Sequence, residues 1–260
     1  MHLSRIILYP IKSLDGVSVS EARMTEGGVL EHDRVYAIMD AEGKYVNGKR
    51  NDRVHRIRSH FSEDFREVFL GDRDAVTEER FMLADPNPIN QWLSAFFGFP
   101  AQLRHEPRSG FPDDLEAYGP TVVGEASLME VASWYPGLCL ESVRRRFRTN
   151  LEIDGEEIAF CEDRLYGAPG ELRPFHVGEV QFMGHNPCQR CVVPTRDPDG
   201  IGTVSGFQKE FMRRRQESLP PWADARRFNH YYRFAVNTSV PPGQAGMTLR
   251  LGDTIQSDIA

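Results

Sequence analysis

The sequence predicts an α+β fold in which strands dominate and form a β-barrel or curled sheet. Few segments have the spacing of an amphipathic helix, many short segments have the pattern of strands, and turn residues separate them. The chain has 260 residues, of which 40% are hydrophobic, enough for one large core or two packed ones. The loosest stretch, Arg104–Tyr118, is rich in Pro, Gly and Asp. We therefore expect an N-terminal domain over 1–105 and a second domain over 106–260.

The first fifty residues have the pattern of strands and turns. Arg5–Tyr9 is a short apolar strand, and Val17–Ala22 alternates between apolar and polar side chains. Arg34–Asp40 is followed by Ala-Glu-Gly and then by Lys44–Asn47, which is typical of a hairpin. The N-terminal domain is therefore expected to be barrel-like.

Three helices are predicted. The first covers Pro88–Phe97, because Asn87 can cap it and its apolar residues lie at helical spacing. The second begins at Ser127, where Ser127 and Glu130 form a capping box. The third covers Phe207–Gln216. The remaining strands are expected at Asn150–Ile153, Ile158–Cys161, Val180–Met183 and Met247–Leu251.

The charge balance excludes one class of function. The net charge is −7, whereas a nucleic-acid-binding protein usually carries a basic excess. A small anionic ligand remains compatible with the sequence, because it needs only a few arginines or lysines. No apolar run is long enough to span a membrane, and the N-terminus lacks the pattern of a signal peptide. We therefore expect a cytoplasmic protein that binds neither nucleic acid nor membrane.

The segment His185–Cys191 carries the strongest chemical signal, a Cys-Gln-Arg-Cys motif. It is compatible with a thioredoxin-like redox pair, although a short strand and a turn, not a helix, are expected after Cys191. It is also compatible with a zinc site made of His185, Cys188 and Cys191, with Cys161 or His176 as a fourth ligand. A third interpretation is ordinary packing of two cysteines. A fourth is a single-thiolate metal site, with Arg190 holding an anionic group.

The wider pattern resembles the MOSC family, in particular the branch that contains the mitochondrial amidoxime-reducing component and its bacterial relatives. The Cys-x-Arg-Cys motif is followed by Thr-x-Asp-Pro-x-Gly, as in the cofactor loop of that family. Further similar elements occur in order along nearly the whole chain. They are Tyr9–Gly16, Gly28–Arg34, Gly124–Leu128, Arg146–Asn150, Phe160–Asp163 and Leu251–Asp253.

The resemblance implies a MOSC-type β-barrel packed against an N-terminal β-barrel-like domain with a few helices. It also implies a molybdenum–molybdopterin cofactor whose metal is held by Cys191. Asn150 and Asp197 are the residues expected to position a substrate near the metal. The residues expected to line the cofactor pocket are Lys12, Ser13, Arg34, Arg148, Asn150, Gln189 and Arg190.

By resemblance, the activity is an oxidoreductase that removes oxygen from small N-hydroxylated or N-oxide substrates. We expect neither an iron–sulfur domain nor a membrane anchor, so electrons would come from separate iron–sulfur, haem or flavin proteins. The alternative is a sulfur-carrier or cofactor-handling protein with a persulfide on Cys191, and a third class is a zinc-stabilised binding module. The stretch between Asp163 and Cys188 is longer than in close relatives, which predicts a reshaped cavity entrance.

Other cysteines and arginines are expected to be structural. Cys188 is interpreted as a packing residue or a neighbour of the metal ligand, and Cys139 and Cys161 as core residues. Arg213–Arg215 is interpreted as a solvated basic surface.

Overall fold

The computed structural model describes residues 1–200 and 202–257, and these residues form the predicted strand-dominated α+β fold. The strands are β1 (His2–Leu8), β2 (Val17–Val19), β3 (Glu21–Arg23), β4 (Tyr36–Asp40), β5 (Ile57–Phe61), β6 (Glu67–Asp72), β7 (Glu79–Met82), β8 (Ala101–His105), β9 (Val122–Gly124), β10 (Leu151–Asp154), β11 (Arg173–Val177), β12 (Val180–Gln189), β13 (Arg233–Ser239), β14 (Thr248–Arg250) and β15 (Ile255–Ser257). The α-helices are α1 (Pro86–Phe97), α2 (Glu125–Ser133), α3 (Leu140–Phe147) and α4 (Phe207–Glu217). Short 3₁₀ helices cover Asp52–Arg56, Cys161–Leu165, Val193–Thr195 and Ala225–Arg227.

The largest sheet has eight strands in the order β15-β11-β12-β13-β9-β10-β1-β2. Its pairings are antiparallel except for β9 with β10. The sheet curls, because an antiparallel bridge joins His2 at the start of β1 to Thr254 just before β15. Its apolar face is filled by side chains such as Leu3, Leu151 and Phe182, which are completely buried. Burial of this face supplies the main driving force for the fold.

Strands from both sides of the expected domain division share this curled sheet. β1 and β2 pair into it from the N-terminal end, and β3 pairs with the late strand β14. The rest of the N-terminal part has its own core, in which α1 packs with β4 to β8 around residues such as Ile38, Leu70 and Leu93. The division into 1–105 and 106–260 stays a prediction. In the described part of the chain, no helix is long and apolar enough to cross a membrane.

The predicted first helix is confirmed, but its start differs. α1 begins at Pro86, and Asp85 rather than Asn87 is the cap, its carboxylate accepting from the Asn87 N–H. The helix ends at Gly98 in the left-handed region, with φ of 78°. The third predicted helix is confirmed as α4, although its cap, Gly206, makes no side-chain capping bond.

The predicted capping box of the second helix is wrong. α2 begins two residues before Ser127, which therefore lies inside the helix. The Ser127 hydroxyl donates to Glu162 Oε2 at 2.6 Å, while the Glu130 carboxylate accepts from the Trp134 indole at 2.9 Å. Both side chains make tertiary or local contacts instead of capping, and the Ser127 hydroxyl supplies the donor that the buried Glu162 carboxyl group needs.

The strand predicted at Ile158–Cys161 is also wrong. This segment is a turn that leads into a 3₁₀ helix, with Phe160 in the left-handed region at φ of 62°. The Phe160 N–H donates to the Ser127 hydroxyl at 2.6 Å. The contact with α2 holds the backbone in a conformation that a strand does not allow.

The helix α3 has no clear signal in the sequence, because three of its eight residues are arginines. Val143 and Phe147 are its buried apolar residues. Arg144 is nevertheless buried, because its guanidinium donates to Glu152 at 2.9 and 3.0 Å. Salt bridges formed only in the tertiary structure therefore stabilise this helix.

Two expectations about exposure are corrected. Arg215 does not lie on the surface: it is 1% exposed and forms a salt bridge with the buried Asp163. Cys139 is exposed, whereas Cys161 is buried as expected. Arg213 and Arg214 lie on the solvated face of α4, where they pair with Glu210.

Candidate functional site

A cavity of about 900 Å³ lies beside the Cys-x-Arg-Cys segment, and this volume is typical of a small-molecule site. It contains nearly all of the residues that the sequence singled out, although they come from opposite ends of the chain. Those that line it are Lys12, Ser13, Arg34, Arg148, Asn150, Gln189, Arg190 and Cys191.

Cys191 lies just after β12, at the point where the chain leaves the sheet for the 3₁₀ helix Val193–Thr195. Its side chain is half-buried, and its sulfur accepts the Val193 N–H at 3.4 Å. The thiol therefore faces the cavity in a position suited to a metal ligand or to a nucleophile.

Cys188 and Arg190 line the same wall. Arg190 donates from one terminal nitrogen to Cys188 Sγ at 3.2 Å and from the other to the Phe147 carbonyl. Its guanidinium carbon also lies 5.3 Å from the centre of the Phe147 ring. Arg190 is therefore held by α3, and Cys188 contacts it on the cavity wall. Gln189 is exposed between them.

Arg34 is fixed by a network that includes Asn150. One terminal nitrogen of Arg34 contacts Asp33 and donates to Asn150 Oδ1 at 3.1 Å, and the other donates to the Arg148 carbonyl at 3.2 Å. Asn150 is 1% exposed, and its Nδ2 donates to the Ile7 carbonyl at 3.0 Å. The Asn150 amide thus positions Arg34 against β1, and its contacts are made within the protein.

Arg148 is the residue least satisfied by the protein itself. Its guanidinium carbon lies 4.2 Å from the centre of the Tyr9 ring, and Arg34 lies 4.9 Å from the same ring. Among the described residues, the buried Nη2 of Arg148 has no hydrogen-bond partner. Burial lowers the pKa of Arg148, and the charge of Arg34 lowers it further, because the cation has lost its hydration. A ligand oxygen in the cavity would supply the missing acceptor.

Several of these residues have an unusual backbone. Ser13, Arg34 and Arg148 all lie in the left-handed region, with φ of 76°, 53° and 54°. Non-glycine residues rarely adopt this conformation, and it costs on the order of 1 kcal/mol or more at each position. Such strain is commonly retained where it directs side chains into a functional site.

Lys12 is buried and bridges the two parts of the chain. Its Nζ donates to the Phe111 carbonyl at 2.7 Å and to the Asp113 carboxylate at 2.8 Å. Burial lowers the pKa of Lys12, and Asp113 opposes that shift. Burial alone would raise the pKa of Asp113, but Lys12, Lys49 and Arg34 outweigh it, and the pKa of Asp113 is lowered. Lys12 therefore carries its charge beside the cavity, partly neutralised by Asp113.

Asp197 is not brought to this cavity. Its carboxylate accepts the Asp199 N–H at 2.9 Å, and its own N–H donates to the Gly202 carbonyl at 2.8 Å. These bonds hold the turn after the Cys-x-Arg-Cys segment. The structure therefore separates Asp197 from the other predicted site residues.

The cavity also contains arginines that the sequence did not single out, Arg227 and Arg233. The only sequence signal for them is a cluster of basic residues, Arg226, Arg227 and Arg233, before and within β13. His55 was missed as well, and it lines the cavity with a buried Nε2 that has no partner among the described residues. Burial, followed by the charges of Arg148, Arg196 and Arg73, lowers the pKa of His55 to about 4, so it is neutral at pH 7.

The charge of the cavity is strongly positive, although the whole chain is acidic. Five of its arginines form no salt bridge with a carboxylate in the part of the chain that the structure describes, and four of them donate to backbone carbonyls, hydroxyls, amides or sulfur. A cavity with these unneutralised cations is suited to an anion. The arginines concerned are Arg146, Arg148, Arg190, Arg227 and Arg233.

The zinc interpretation of the cysteine segment is not supported. In residues 1–200 and 202–257, no group of three His, Cys, Asp or Glu side chains could hold a metal ion. His185 instead bonds the Ser239 hydroxyl at 2.7 Å, and Cys161 is buried beside Glu162. A metal bound by Cys191 would therefore need further ligands from a cofactor. The cavity fits such a group, since its lining has the soft donors Cys188 and Cys191, several guanidiniums without acidic partners among the described residues, and the unpartnered Nη2 of Arg148.

Comparison with known proteins identifies two regions of this chain that match known domains. Residues 1–79 match the MOSC N-terminal beta barrel domain, and residues 121–256 match the MOSC domain. The molybdenum cofactor sulfurase of Drosophila grimshawi is 24% identical over 254 residues, which cover 81% of this chain and 31% of that protein. The mitochondrial amidoxime-reducing component 1 of Homo sapiens is 25% identical over 239 residues, which cover 76% of this chain and 66% of that protein.

The matched region thus spans about a third of the sulfurase and two thirds of the amidoxime-reducing component. The MOSC domain match alone covers more than half of the chain, and the N-terminal match precedes it in the expected order. The chain belongs to the MOSC domain family and carries the MOSC N-terminal domain together with the MOSC domain.

Proposed function

We propose that this protein is a molybdenum–molybdopterin oxidoreductase that removes oxygen from N-hydroxylated or N-oxide substrates, with electrons from separate donor proteins. One observation supports it above the others: a half-buried thiol, Cys191, opens into a cavity in which several guanidiniums, including that of Arg148, form no salt bridge among the described residues. A thiolate is a soft metal ligand, and the guanidiniums match the phosphate of a pterin cofactor. The amidoxime-reducing component, one of the similar proteins, is named for a reaction of this class.

In this proposal, Cys191 holds the metal, and Lys12, Arg34 and Arg148 hold the phosphate of the cofactor. When bound, the cofactor would supply the two-electron redox chemistry that removal of the oxygen requires. Asn150 keeps Arg34 in place through the 3.1 Å bond to its guanidinium, and so it is a positioning residue. Preorganised cations of this kind bind an anion without paying the entropy of ordering flexible side chains.

The buried Tyr9 supports these two arginines. It is 3% exposed, and its ring lies against the Arg34 and Arg148 guanidiniums. Burial raises the pKa of Tyr9 to about 12, so its hydroxyl is neutral and donates to the Thr149 carbonyl. The arginines consequently keep their charge for the ligand rather than pairing with a phenolate.

The test is metal analysis and turnover of protein produced in a molybdenum-replete host. We expect stoichiometric molybdenum, a fluorescent pterin on denaturation, and reduction of an N-hydroxylated amidine with a chemical reductant that replaces the natural donor. Cys191→Ser should lose molybdenum, because a hydroxyl is a poor ligand for a soft metal. Equal molybdenum content in the wild type and in Cys191→Ser would exclude Cys191 as the ligand.

A second function is a sulfur carrier or cofactor-handling protein, favoured by the similarity to molybdenum cofactor sulfurases. In that case Cys191 would carry a persulfide, and the same cationic cavity would bind the cofactor as cargo. Labile sulfur on Cys191, lost on cyanide treatment, together with substoichiometric molybdenum and no turnover, would favour this function. Stoichiometric molybdenum with turnover would favour the oxidoreductase.

A further inference from the structure

Arg227 and Arg233 line the cavity but are not used by the proposed cofactor contacts. Arg227 donates from Nε and Nη2 to carbonyls of the segment 167–171, with distances of 2.8 Å to Gly167 and 3.0 Å to Glu171. Arg233 donates from Nη1 to the Pro187 carbonyl at 2.9 Å and from Nη2 to Asn229 Oδ1 at 2.8 Å. Both guanidiniums are therefore held rigidly by the backbone and by amide groups.

Each guanidinium still has donors available. The Nη1 of Arg227 makes none of these bonds, and among the described residues the buried Nε of Arg233 has no partner. Burial lowers the pKa of both side chains, and Arg227 lowers that of Arg233 further. Because arginine stays protonated, the result is two neighbouring cations without a carboxylate partner. A buried unpaired donor such as the Nε of Arg233 is costly unless a ligand satisfies it.

These two arginines are separated from the proposed phosphate contacts along the cavity wall. Arg34 donates to the Arg148 carbonyl. Arg190 donates to the carbonyl of the preceding residue, Phe147, and also to Cys188 Sγ. Arg233 donates to the carbonyl of Pro187, which precedes Cys188. The wall therefore runs from Arg34 through Arg190 to Arg233 and Arg227, with the cysteines of the Cys-x-Arg-Cys motif in its middle part.

The segment that holds Arg227 belongs to the stretch between Asp163 and Cys188, which the sequence analysis expected to be longer than in close relatives. Its Gly167, Ala168 and Glu171 carbonyls all accept from Arg227. This segment therefore fixes an additional guanidinium on the cavity wall.

We propose that the substrate of this site carries an oxyanion, a carboxylate or a phosphate, that binds Arg227 and Arg233 while its N-hydroxylated end lies near Cys191. This inference rests on the proposed oxidoreductase function. Forked guanidinium donors are the preferred protein partners of both oxyanions. Arg227 and Arg233 would thus select a negatively charged substrate, while Lys12, Arg34 and Arg148 bind the phosphate of the cofactor.

The test compares two probes by calorimetry on the molybdenum-containing protein: an aromatic N-hydroxyamidine and its ring-carboxylated analogue. We expect the carboxylated probe to bind about tenfold tighter or more, which is the scale of one charge-assisted contact. Arg233→Gln and Arg227→Gln should each remove most of that preference, and Arg233→Lys should retain part of it. Raising the salt concentration should weaken binding of the carboxylated probe only.

Arg213→Gln is the matched control, because Arg213 is an exposed arginine on α4 that pairs with Glu210 and Glu217. It should keep the wild-type preference. Equal affinity of the wild type for both probes would overturn the oxyanion site, even if both are reduced. Loss of molybdenum in Arg233→Gln and Arg227→Gln would also overturn it, since the two arginines would then hold the cofactor. Selective binding without reduction would keep the oxyanion site and contradict the oxidoreductase function.

Discussion

Arg148 lies over the ring of Tyr9, with its guanidinium carbon 4.2 Å from the ring centre, although the two residues come from opposite parts of the sequence. Tyr9 directly follows β1, and Arg148 ends α3, so the contact depends on the pairing of β1 with β10. The contact joins Tyr9, in the region that matches the MOSC N-terminal domain, to Arg148, in the region that matches the MOSC domain. The stack orients a cation whose remaining nitrogen has no partner among the described residues.

Arg148→Met should lower cofactor retention without destabilising the apo protein. The change removes a charge-assisted contact worth about 1.5–3 kcal/mol, so cofactor affinity should fall about tenfold to a hundredfold. The apo protein loses only a buried cation with an unsatisfied donor, and its melting temperature should stay the same or rise. Molybdenum content after gel filtration and apo melting curves measure the two effects. The exposed Arg66→Met is the control, and wild-type molybdenum content in Arg148→Met would contradict the phosphate role.

Cys188→Ser should retain molybdenum, in contrast to Cys191→Ser. Cys188 Sγ contacts Arg190 at 3.2 Å, and a serine hydroxyl can accept from the same guanidinium. The ligand and its cavity wall should therefore stay in place. Elemental analysis of both variants side by side measures the difference. Loss of the metal in Cys188→Ser alone would reverse the assignment of the ligand.

The salt bridge between Arg215 and Asp163 should contribute strongly to folding. Both side chains are buried, and the Arg215 guanidinium carbon lies 3.8 Å from the centre of the Phe160 ring. Arg215→Met should lower the free energy of unfolding by about 3–5 kcal/mol, because it leaves a buried carboxylate unpaired. The double variant Asp163→Asn with Arg215→Met should recover part of that loss in urea denaturation.

Arg214→Met, on the exposed face of the same helix, should change the free energy of unfolding by only about 0.5 kcal/mol. A similar small effect for Arg215→Met would show that the buried pair adds little to stability.

The buried Glu162 should make the protein less stable as the pH rises. Burial, reinforced by the charge of Asp163, raises the pKa of Glu162 to about 7, compared with about 4.3 in an unfolded chain. Between these values the folded state binds more protons, so the stabilisation is complete below about pH 4 and is lost as the pH rises through 7. The contribution of Glu162 to the free energy of unfolding should therefore fall between pH 5 and pH 8.

Glu162→Gln, which imitates the protonated form, should remove that slope in urea titrations at several pH values. The Ser127 hydroxyl can still contact the amide oxygen, so the variant is expected to fold. The exposed Glu157→Gln should keep the wild-type slope. An unchanged slope in Glu162→Gln would show that another group causes the pH dependence.

The sequence by itself identified many of the residues that line the cavity, because these residues belong to short motifs. The Cys-x-Arg-Cys segment, the Lys12–Ser13 pair and the arginines Arg34 and Arg148 were all found as motif positions, and all line the cavity. The strand-dominated α+β class was also predictable, since alternation and turn residues act over a few positions. Asp197 belonged to the same motif, yet its carboxylate holds a turn, because adjacency in sequence does not set the direction of a side chain.

Only the tertiary structure decided the partners of the charged residues. Arg215 looked like its exposed neighbours Arg213 and Arg214, but packing of α4 against Phe160 and Asp163 buries it. Arg227 and Arg233 became cavity residues because segments distant in sequence supply the carbonyls that hold them. Ion pairing and burial depend on long-range contacts between elements, and local sequence patterns carry no information about those contacts.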